Sequence, residues 1–182
     1  MNVKLLRVKE DDLEMMLDWR MRPEITQFMF TNPVLTMETQ RKWFENLKTD
    51  KTQIRWIIYY NDIPIGSMYL VDIDYENKRC ESGWFIAEKE YRSLNLAMYL
   101  QWNVLDYIFN VLNLNRNYGY VIDTNKSLIK LLNLCGFETE GILKQHVVIR
   151  NEVHDVYITA MTKNAWNEKK AHIHYEEFEI EG

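Results

Sequence analysis

A long amphipathic helix is predicted between two strands, and this order limits the folds open to the chain. Apolar residues recur every three or four positions over about residues 94–112, the period of a helix that buries one broad face. Segments at about 80–86 and 117–122 have the composition of strands. A strand, a helix and a strand in this order predict a right-handed crossover between two strands of one sheet.

Shorter segments on either side of this unit predict the rest of one domain. Alternating or β-branched runs indicate strands, and the polar or proline-containing residues between them indicate turns. The complete order predicts an α+β fold with a central mixed, mostly antiparallel β-sheet and helices on both faces. The additional strands are expected at about 3–8, 54–60, 65–73, 137–149 and 153–161, and the additional helices at about 13–22, 37–48 and 125–134.

The overall charge and composition argue against several classes of protein. The formal net charge is −5, whereas proteins that bind nucleic acid usually present a basic face. No apolar run approaches the roughly 20 residues that cross a bilayer, and the first residues lack a signal-peptide pattern. The two cysteines, Cys80 and Cys135, form no metal-binding pair. We therefore expect a cytoplasmic protein with no metal and with no nucleic-acid or membrane partner.

The segment with the most chemical information leads from the strand at 80–86 into the long helix. The first amides of a helix have no partner within it and lie at the positive end of its dipole, so they can bind an anion. Ser93, Asn95 and Ala97 are small or tolerate turn conformations, which would let these amides approach a phosphate. An ordinary helix cap explains the same residues, and the loop alone does not decide between the two.

The ordered set of motifs resembles the GNAT-type N-acetyltransferases. In that family an Arg/Gln-x-x-Gly-x-Gly/Ala loop before a long helix holds the pyrophosphate of acetyl-CoA, and Arg92, Asn95 and Ala97 stand at its three marked positions. Further along, Asn125 near a helix start and Gly136 with Phe137 after that helix also match the family pattern. The resemblance covers nearly the whole chain, and its specificity comes from the order of the motifs.

The resemblance implies acetyl-CoA as co-substrate and direct acetyl transfer to the primary amine of a small molecule. The acetyltransferase domain would span residues 1–165, and residues 166–182 would form an acidic C-terminal tail, of which 172–182 would be loosely held. The oligomeric state stays open, a homodimer included. Backbone N–H groups around a splay in the strand at Phe85 and Ile86 would hold the thioester carbonyl. Acetyl-CoA contacts are expected from Phe85, Ile86, Ala87, Arg92, Ser93, Leu94, Asn95, Leu96, Ala97 and Asn125.

The chain departs from the family pattern at two positions. Asn95 replaces a glycine, although asparagine tolerates a left-handed backbone. Leu132 stands where the family often has a tyrosine that protonates the departing thiolate, which leucine cannot do. Tyr118 or Tyr120 on the neighbouring strand, or solvent, would then supply the proton. A non-catalytic acyl-CoA-binding protein is the alternative that Leu132 leaves open.

Glu81 is the candidate general base. It precedes the predicted cofactor loop, on the strand that the family places beside the acetyl group. A carboxylate there can take the proton of the acceptor ammonium directly or through water. A solvated glutamate or an ion pair with Arg79 is the alternative explanation, and Asp123 and His154 are weaker candidates for the same role.

The segment after the first helix carries the information on the acceptor. Residues 19–25 resemble the Trp-Arg-x-x-Pro-x-Ile segment of GNAT enzymes that acetylate nucleotide-linked amino sugars, as in the pseudaminic acid pathway. This implies a nucleotide-linked 4-amino-4,6-dideoxy sugar, with Arg20 or Arg22 on its diphosphate and Trp19 or Phe28 against the ligand. For any single one of these residues, core packing or an internal salt bridge is the preferred explanation. The layout also resembles enzymes that acetylate ribosomal-protein N-termini, polyamines or aminoglycosides.

Overall fold

The computed structural model describes residues 2–31 and 34–182, which form one eight-stranded sheet flanked by helices. The strands are β1 (Val3–Arg7), β2 (Ile54–Tyr60), β3 (Ile63–Asp74), β4 (Arg79–Ile86), β5 (Arg116–Ile122), β6 (Glu138–Ile149), β7 (Glu152–Thr162) and β8 (Glu179–Ile180). The helices are α1 (Leu13–Met21), α2 (Pro23–Thr26), α3 (Met37–Leu47), α4 (Leu94–Asp106), α5 (Lys126–Cys135) and α6 (Lys163–Lys170).

The sheet is mixed and mostly antiparallel, as the sequence predicts. Its strand order is β6-β7-β5-β4-β3-β2-β1-β8. Only the β4–β5 and β1–β8 pairs are parallel, and the first of these is the pair that flanks α4. The long helix was predicted over about residues 94–112. Its α-helical part ends at Asp106, and residues 107–111 continue it as wider π-helical turns.

Two hydrophobic cores lie on opposite faces of the sheet. Trp56 and Ile58 of β2 belong to a large core that includes residues of α4, α5 and α6. Ile57, between them, points the other way into a smaller core with Leu13 of α1 and Phe44 of α3. We call the side covered by α1 and α3 the α1 face, and the side covered by α4 and α5 the α4 face.

Side-chain caps fix where the helices of the sequence prediction begin and end. The Thr36 hydroxyl accepts the Thr39 N–H at 3.2 Å and starts α3. The Asn125 side chain accepts the Leu128 N–H at 3.3 Å and starts α5. Gly136 ends α5 with φ of 100°, a left-handed conformation that glycine adopts without strain.

The C-terminal residues are packed against the sheet, so the expectation that residues 172–182 are loosely held was wrong. The expected boundary falls inside α6, where Trp166 is fully buried. Phe178 is 9% exposed, and the Trp56 indole donates a 2.7 Å hydrogen bond to the Glu181 carbonyl. Trp166 and Phe178 anchor this polar segment to the core. The average composition of the segment does not reveal such single buried side chains.

Among the helices that the structure describes, none is long and apolar enough to cross a membrane. Within residues 2–31 and 34–182, no three or more His, Cys, Asp or Glu side chains are grouped closely enough to hold a metal ion.

Candidate active site

The two parallel strands β4 and β5 diverge after a short stretch of pairing. They pair only over residues 79–81 of β4 and 116–118 of β5. Beyond this point β4 stays paired with β3, and β5 stays paired with β7. A gap therefore opens between two otherwise continuous strands, and a cavity of about 780 Å³ occupies it.

The cavity is lined from both faces of the sheet. Side chains of β4 alternate between the faces, so Glu81 and Phe85 lie on the α1 face, and Ser82 and Trp84 lie on the α4 face. The contacts agree, because Phe85 packs in the α1-face core and Trp84 hydrogen-bonds to Gln101 of α4. A ligand on the α4 face can thus meet a second ligand on the α1 face through the gap.

The loop before α4 is tied to the end of β4. The Arg92 guanidinium donates to the carbonyls of Ile86 and Ala87, both at 2.9 Å. The Ser93 hydroxyl accepts the Leu96 N–H at 3.3 Å and caps the helix. The N-terminal end of α4, with its partner-free amides, is thereby held at the rim of the cavity.

Seven of the ten residues expected to contact acetyl-CoA line the cavity: Phe85, Ile86, Arg92, Ser93, Leu94, Ala97 and Asn125. The other three do not line it. Ala87 and Leu96 are buried in the cores. Asn95 lies in the first turn of α4 and is absent from the described residues with positive φ. The left-handed backbone considered at this position is therefore not needed.

Backbone groups of β4 face the gap at alternate residues. The Ala87 N–H bonds to the Ile65 carbonyl of the β3 side at 2.7 Å. Because hydrogen bonding alternates along an antiparallel pair, Phe85 also bonds towards β3, whereas the N–H groups of Trp84 and Ile86 point into the gap. Of the two residues around which the sequence predicts carbonyl-binding N–H groups, Ile86 therefore directs its N–H into the gap and Phe85 does not, and Trp84 shares the orientation of Ile86.

The three predicted catalytic side chains lie together on the α1 face. Glu81 is paired directly opposite Tyr118 at the point where β4 and β5 separate, and the rings of Tyr118 and Tyr120 meet edge to face at 6.0 Å. Burial first, and then Asp72, raises the pKa of Glu81 to about 7. Burial likewise raises the pKa of the Tyr118 phenol, which keeps it a proton donor. The alternative of an ion pair with Arg79 is wrong, because Arg79 contacts Asp74.

Two guanidinium groups line the α1 face of the cavity near Glu81. Burial lowers the pKa of both Arg20 and Arg55. Arg55 stacks 4.5 Å from the ring centre of Tyr69, and Arg20 donates a hydrogen bond to the Met29 sulfur. Within the part of the chain that the structure describes, neither guanidinium has a carboxylate within ion-pair distance.

The other predicted acceptor residues divide into two groups. Phe28 lines the cavity and is 41% exposed. Trp19 and Arg22 lie outside the lining. Trp19 is 2% exposed and donates to Glu88 at 3.0 Å, as a core residue does. Arg22 forms ion pairs with Asp18 at 2.7 Å and with Glu88 at 3.2 Å. The sequence analysis missed Arg55. An arginine inside the apolar run of β2 is unusual, and this could have identified it as a candidate site residue.

The α4 face of the cavity is largely apolar. Leu132, which replaces the tyrosine of the family pattern, is 7% exposed and lines this wall. Among the described residues, the phenols that line the cavity are on the opposite face, at Tyr69, Tyr118 and Tyr120. Gln101, which the sequence analysis also missed, places its amide on the α4 face.

The fold and this divided cavity define an acetyl-CoA-dependent N-acetyltransferase. A helix start, an apolar channel and two free N–H groups suit the cofactor, and a carboxyl with a pKa near neutrality suits an amine. The chain belongs to the GNAT acetyltransferase family, since residues 2–138 match the family described as Acetyltransferase (GNAT) domain.

Similar proteins support this assignment. The chain is 26% identical to the uncharacterized N-acetyltransferase p20 of Bacillus licheniformis, over 89% of this chain and 93% of the relative. It is 26% identical to a spermidine N(1)-acetyltransferase of Vibrio cholerae, over 84% of this chain and 88% of the relative. It is 24% identical to the acetyltransferase PseH of Campylobacter jejuni, over 82% of this chain and 85% of the relative. A crystal structure of the Vibrio cholerae spermidine N-acetyltransferase with CoA and spermine has the same fold, with a TM-score of 0.86 at 23% identity, covering 91% of this chain and 98% of that one.

Proposed function

We propose that this enzyme acetylates the primary amine of a small molecule that also carries a negatively charged group, and that this acceptor is a nucleotide-linked 4-amino-4,6-dideoxy sugar. The observation that carries the proposal is the pair of partly buried guanidiniums, Arg20 and Arg55, on the α1 face. Burial of a cation is unfavourable unless an anion or a set of acceptors meets it. A diphosphate offers such acceptors in the forked geometry that guanidinium prefers.

The acetyl group is transferred directly, with no acyl-enzyme. The N–H groups of Trp84 and Ile86 hold the thioester oxygen as it gains negative charge. Glu81 takes a proton from the acceptor ammonium, and the free amine forms a bond to the carbonyl carbon. As the carbon–sulfur bond breaks, the thiolate takes a proton from Tyr118 or from solvent, and the new amide nitrogen gives up its extra proton to that same donor, which restores it. Glu81 and Tyr118 are the last residues to pair before the strands separate.

A polyamine acceptor is the second candidate, and the relatives favour it. Spermidine N(1)-acetyltransferases of Escherichia coli and Vibrio cholerae share 24–26% identity with this chain. A polycation needs carboxylates around it, however, and the two guanidiniums oppose it. Of the two carboxyl groups that line the cavity in the described part of the chain, Glu24 already faces Lys89 at 3.4 Å, and burial and Asp72 raise the pKa of Glu81 to about 7. The local charge therefore favours an anionic acceptor over a polyamine.

A panel of acceptors tests the proposal through release of CoA thiol. UDP- and dTDP-linked 4-amino-4,6-dideoxy sugars should be acetylated, and spermidine and spermine should be poor acceptors. Arg20→Met and Arg55→Met should each raise the acceptor KM about tenfold or more, since a charge-assisted hydrogen bond contributes roughly 1.5–3 kcal/mol, and should leave the acetyl-CoA KM unchanged. Arg22→Met is the matched control, because Arg22 lies outside the cavity and should leave both constants unchanged. Rapid acetylation of polyamines with no turnover of the sugar nucleotides would contradict the proposal.

A further inference from the structure

The amide of Gln101 has an unpaired donor on the α4 face. Gln101 lies one turn after Ala97 in α4, is 2% exposed and lines the cavity. Its side-chain oxygen accepts a hydrogen bond from the Trp84 indole at 3.0 Å. None of the described residues offers an acceptor to its amide nitrogen. A buried donor of this kind is uncommon and costs stability unless something outside the protein pairs with it.

The orientation of this amide follows from the chemistry of its neighbour. An indole N–H can only donate, so the amide must turn its oxygen towards Trp84. The NH₂ group is then directed away from Trp84, and rotating the amide by 180° would leave two donors facing each other. Trp84 therefore holds Gln101 in the one orientation that leaves a donor free.

We infer that the Gln101 amide nitrogen donates a hydrogen bond to an amide carbonyl in the pantetheine arm of acetyl-CoA. The arm must run along the α4 face, from the helix start at Ser93 to the gap beside Trp84, and Gln101 lies along this path. It carries two amide carbonyls, which are acceptors of the required kind. The amine acceptor lies on the other face of the sheet, beyond reach of this donor. Gln101 is thus a binding residue that fixes the position of the arm and, through it, of the thioester.

Two variants separate this role from a structural one. Gln101→Met removes the donor at similar volume, and Gln101→Glu keeps an acceptor for Trp84 while removing the amide donor. Calorimetry should show acetyl-CoA bound about three- to tenfold more weakly by Gln101→Met, and at least as weakly by Gln101→Glu. Adenosine 3′,5′-bisphosphate, which lacks the arm, should bind to both variants as to the wild type. Gln40→Met is the matched control, because Gln40 is a buried glutamine of α3 outside this cavity.

Wild-type affinity for acetyl-CoA in both variants would overturn the inference. Equal losses for acetyl-CoA and for the bisphosphate would also overturn it, because they would show a structural role alone. A measurement on the wild-type protein does not depend on how the variants fold. The ¹⁵N signal of the Gln101 side-chain amide should shift when CoA is added and stay in place when the bisphosphate is added; an unchanged signal with CoA would refute the contact.

Discussion

Replacing Glu81 with glutamine should change both the pH dependence of the reaction and the pH dependence of stability. The pKa of this carboxyl is raised from 4.5 to about 7, mainly by burial. About a tenth of the wild-type enzyme then has the base form at pH 6, half at pH 7 and nine tenths at pH 8. The wild-type kcat/KM should therefore rise towards pH 8. The Glu81→Gln variant should be about 10²–10⁴-fold slower, and its kcat/KM should no longer show this rise with pH.

The same shift predicts the sign of a stability change. A carboxyl that binds its proton more tightly in the folded state lowers stability as pH rises from 4.5 through about 7. The shift corresponds to at most ~3.4 kcal/mol, and solvent screening of the partly exposed side chain reduces this to about 1–2 kcal/mol. Glu81→Gln should thus match the wild type near pH 4.5 and exceed its unfolding free energy by about 1–2 kcal/mol at pH 8 and above.

Urea denaturation at pH 4.5, 6, 7 and 8 measures this difference, and turnover on the same samples gives the rate profile. Glu138→Gln is the control, since Glu138 is an exposed glutamate of β6 outside the cavity. A stability difference that does not vary with pH would refute the buried-carboxyl argument. Near-wild-type turnover of Glu81→Gln at every pH would assign the proton transfer to another group or to water.

Three further substitutions test the geometry. Gly83→Ala places a methyl group 2.2 Å from the Tyr69 hydroxyl. It should therefore lower the free energy of unfolding by about 1–3 kcal/mol and raise the acceptor KM. Wild-type stability together with a wild-type KM would contradict the close approach of Gly83 and Tyr69. Phe178→Ala should cost about 3–5 kcal/mol in urea denaturation, whereas a loose tail would lose almost nothing. Arg92→Met frees the loop before α4 and should weaken acetyl-CoA binding about tenfold in calorimetry; unchanged affinity would show that these two carbonyl contacts do not hold the site.

Local signals in the sequence were sufficient for the fold class and for the loop at the rim of the cavity. The period of each segment gives its secondary structure, and caps such as Thr36 and Gly136 give its ends. These signals lie within a few residues of what they determine. Strand β8 escaped prediction because it has two residues and forms only against β1, more than 170 positions away.

Of the two site residues that escaped prediction, Gln101 lies in α4 and Arg55 is defined by pairing across the sheet. Arg20 and Arg22 are two positions apart near the end of α1, so they point in different directions and only Arg20 lines the cavity. The second guanidinium comes from Arg55, whose position follows from its register opposite Tyr69 in β3. No local pattern contains that register.

The divergence of β4 and β5 explains why the two substrates need not compete for one surface. If the strands stayed paired beyond residue 81, the N–H groups of Trp84 and Ile86 would bond to β5 and the faces would be sealed from each other. The gap leaves these donors free and lets the α4 face and the α1 face meet at one point. Glu81 and Tyr118 are the last pair before the separation, so the groups that we propose for proton transfer lie where a thioester from one face could reach an amine from the other. The proposal also covers Leu132, because a phenol at Tyr118 would leave the α4 wall free to be apolar at that position.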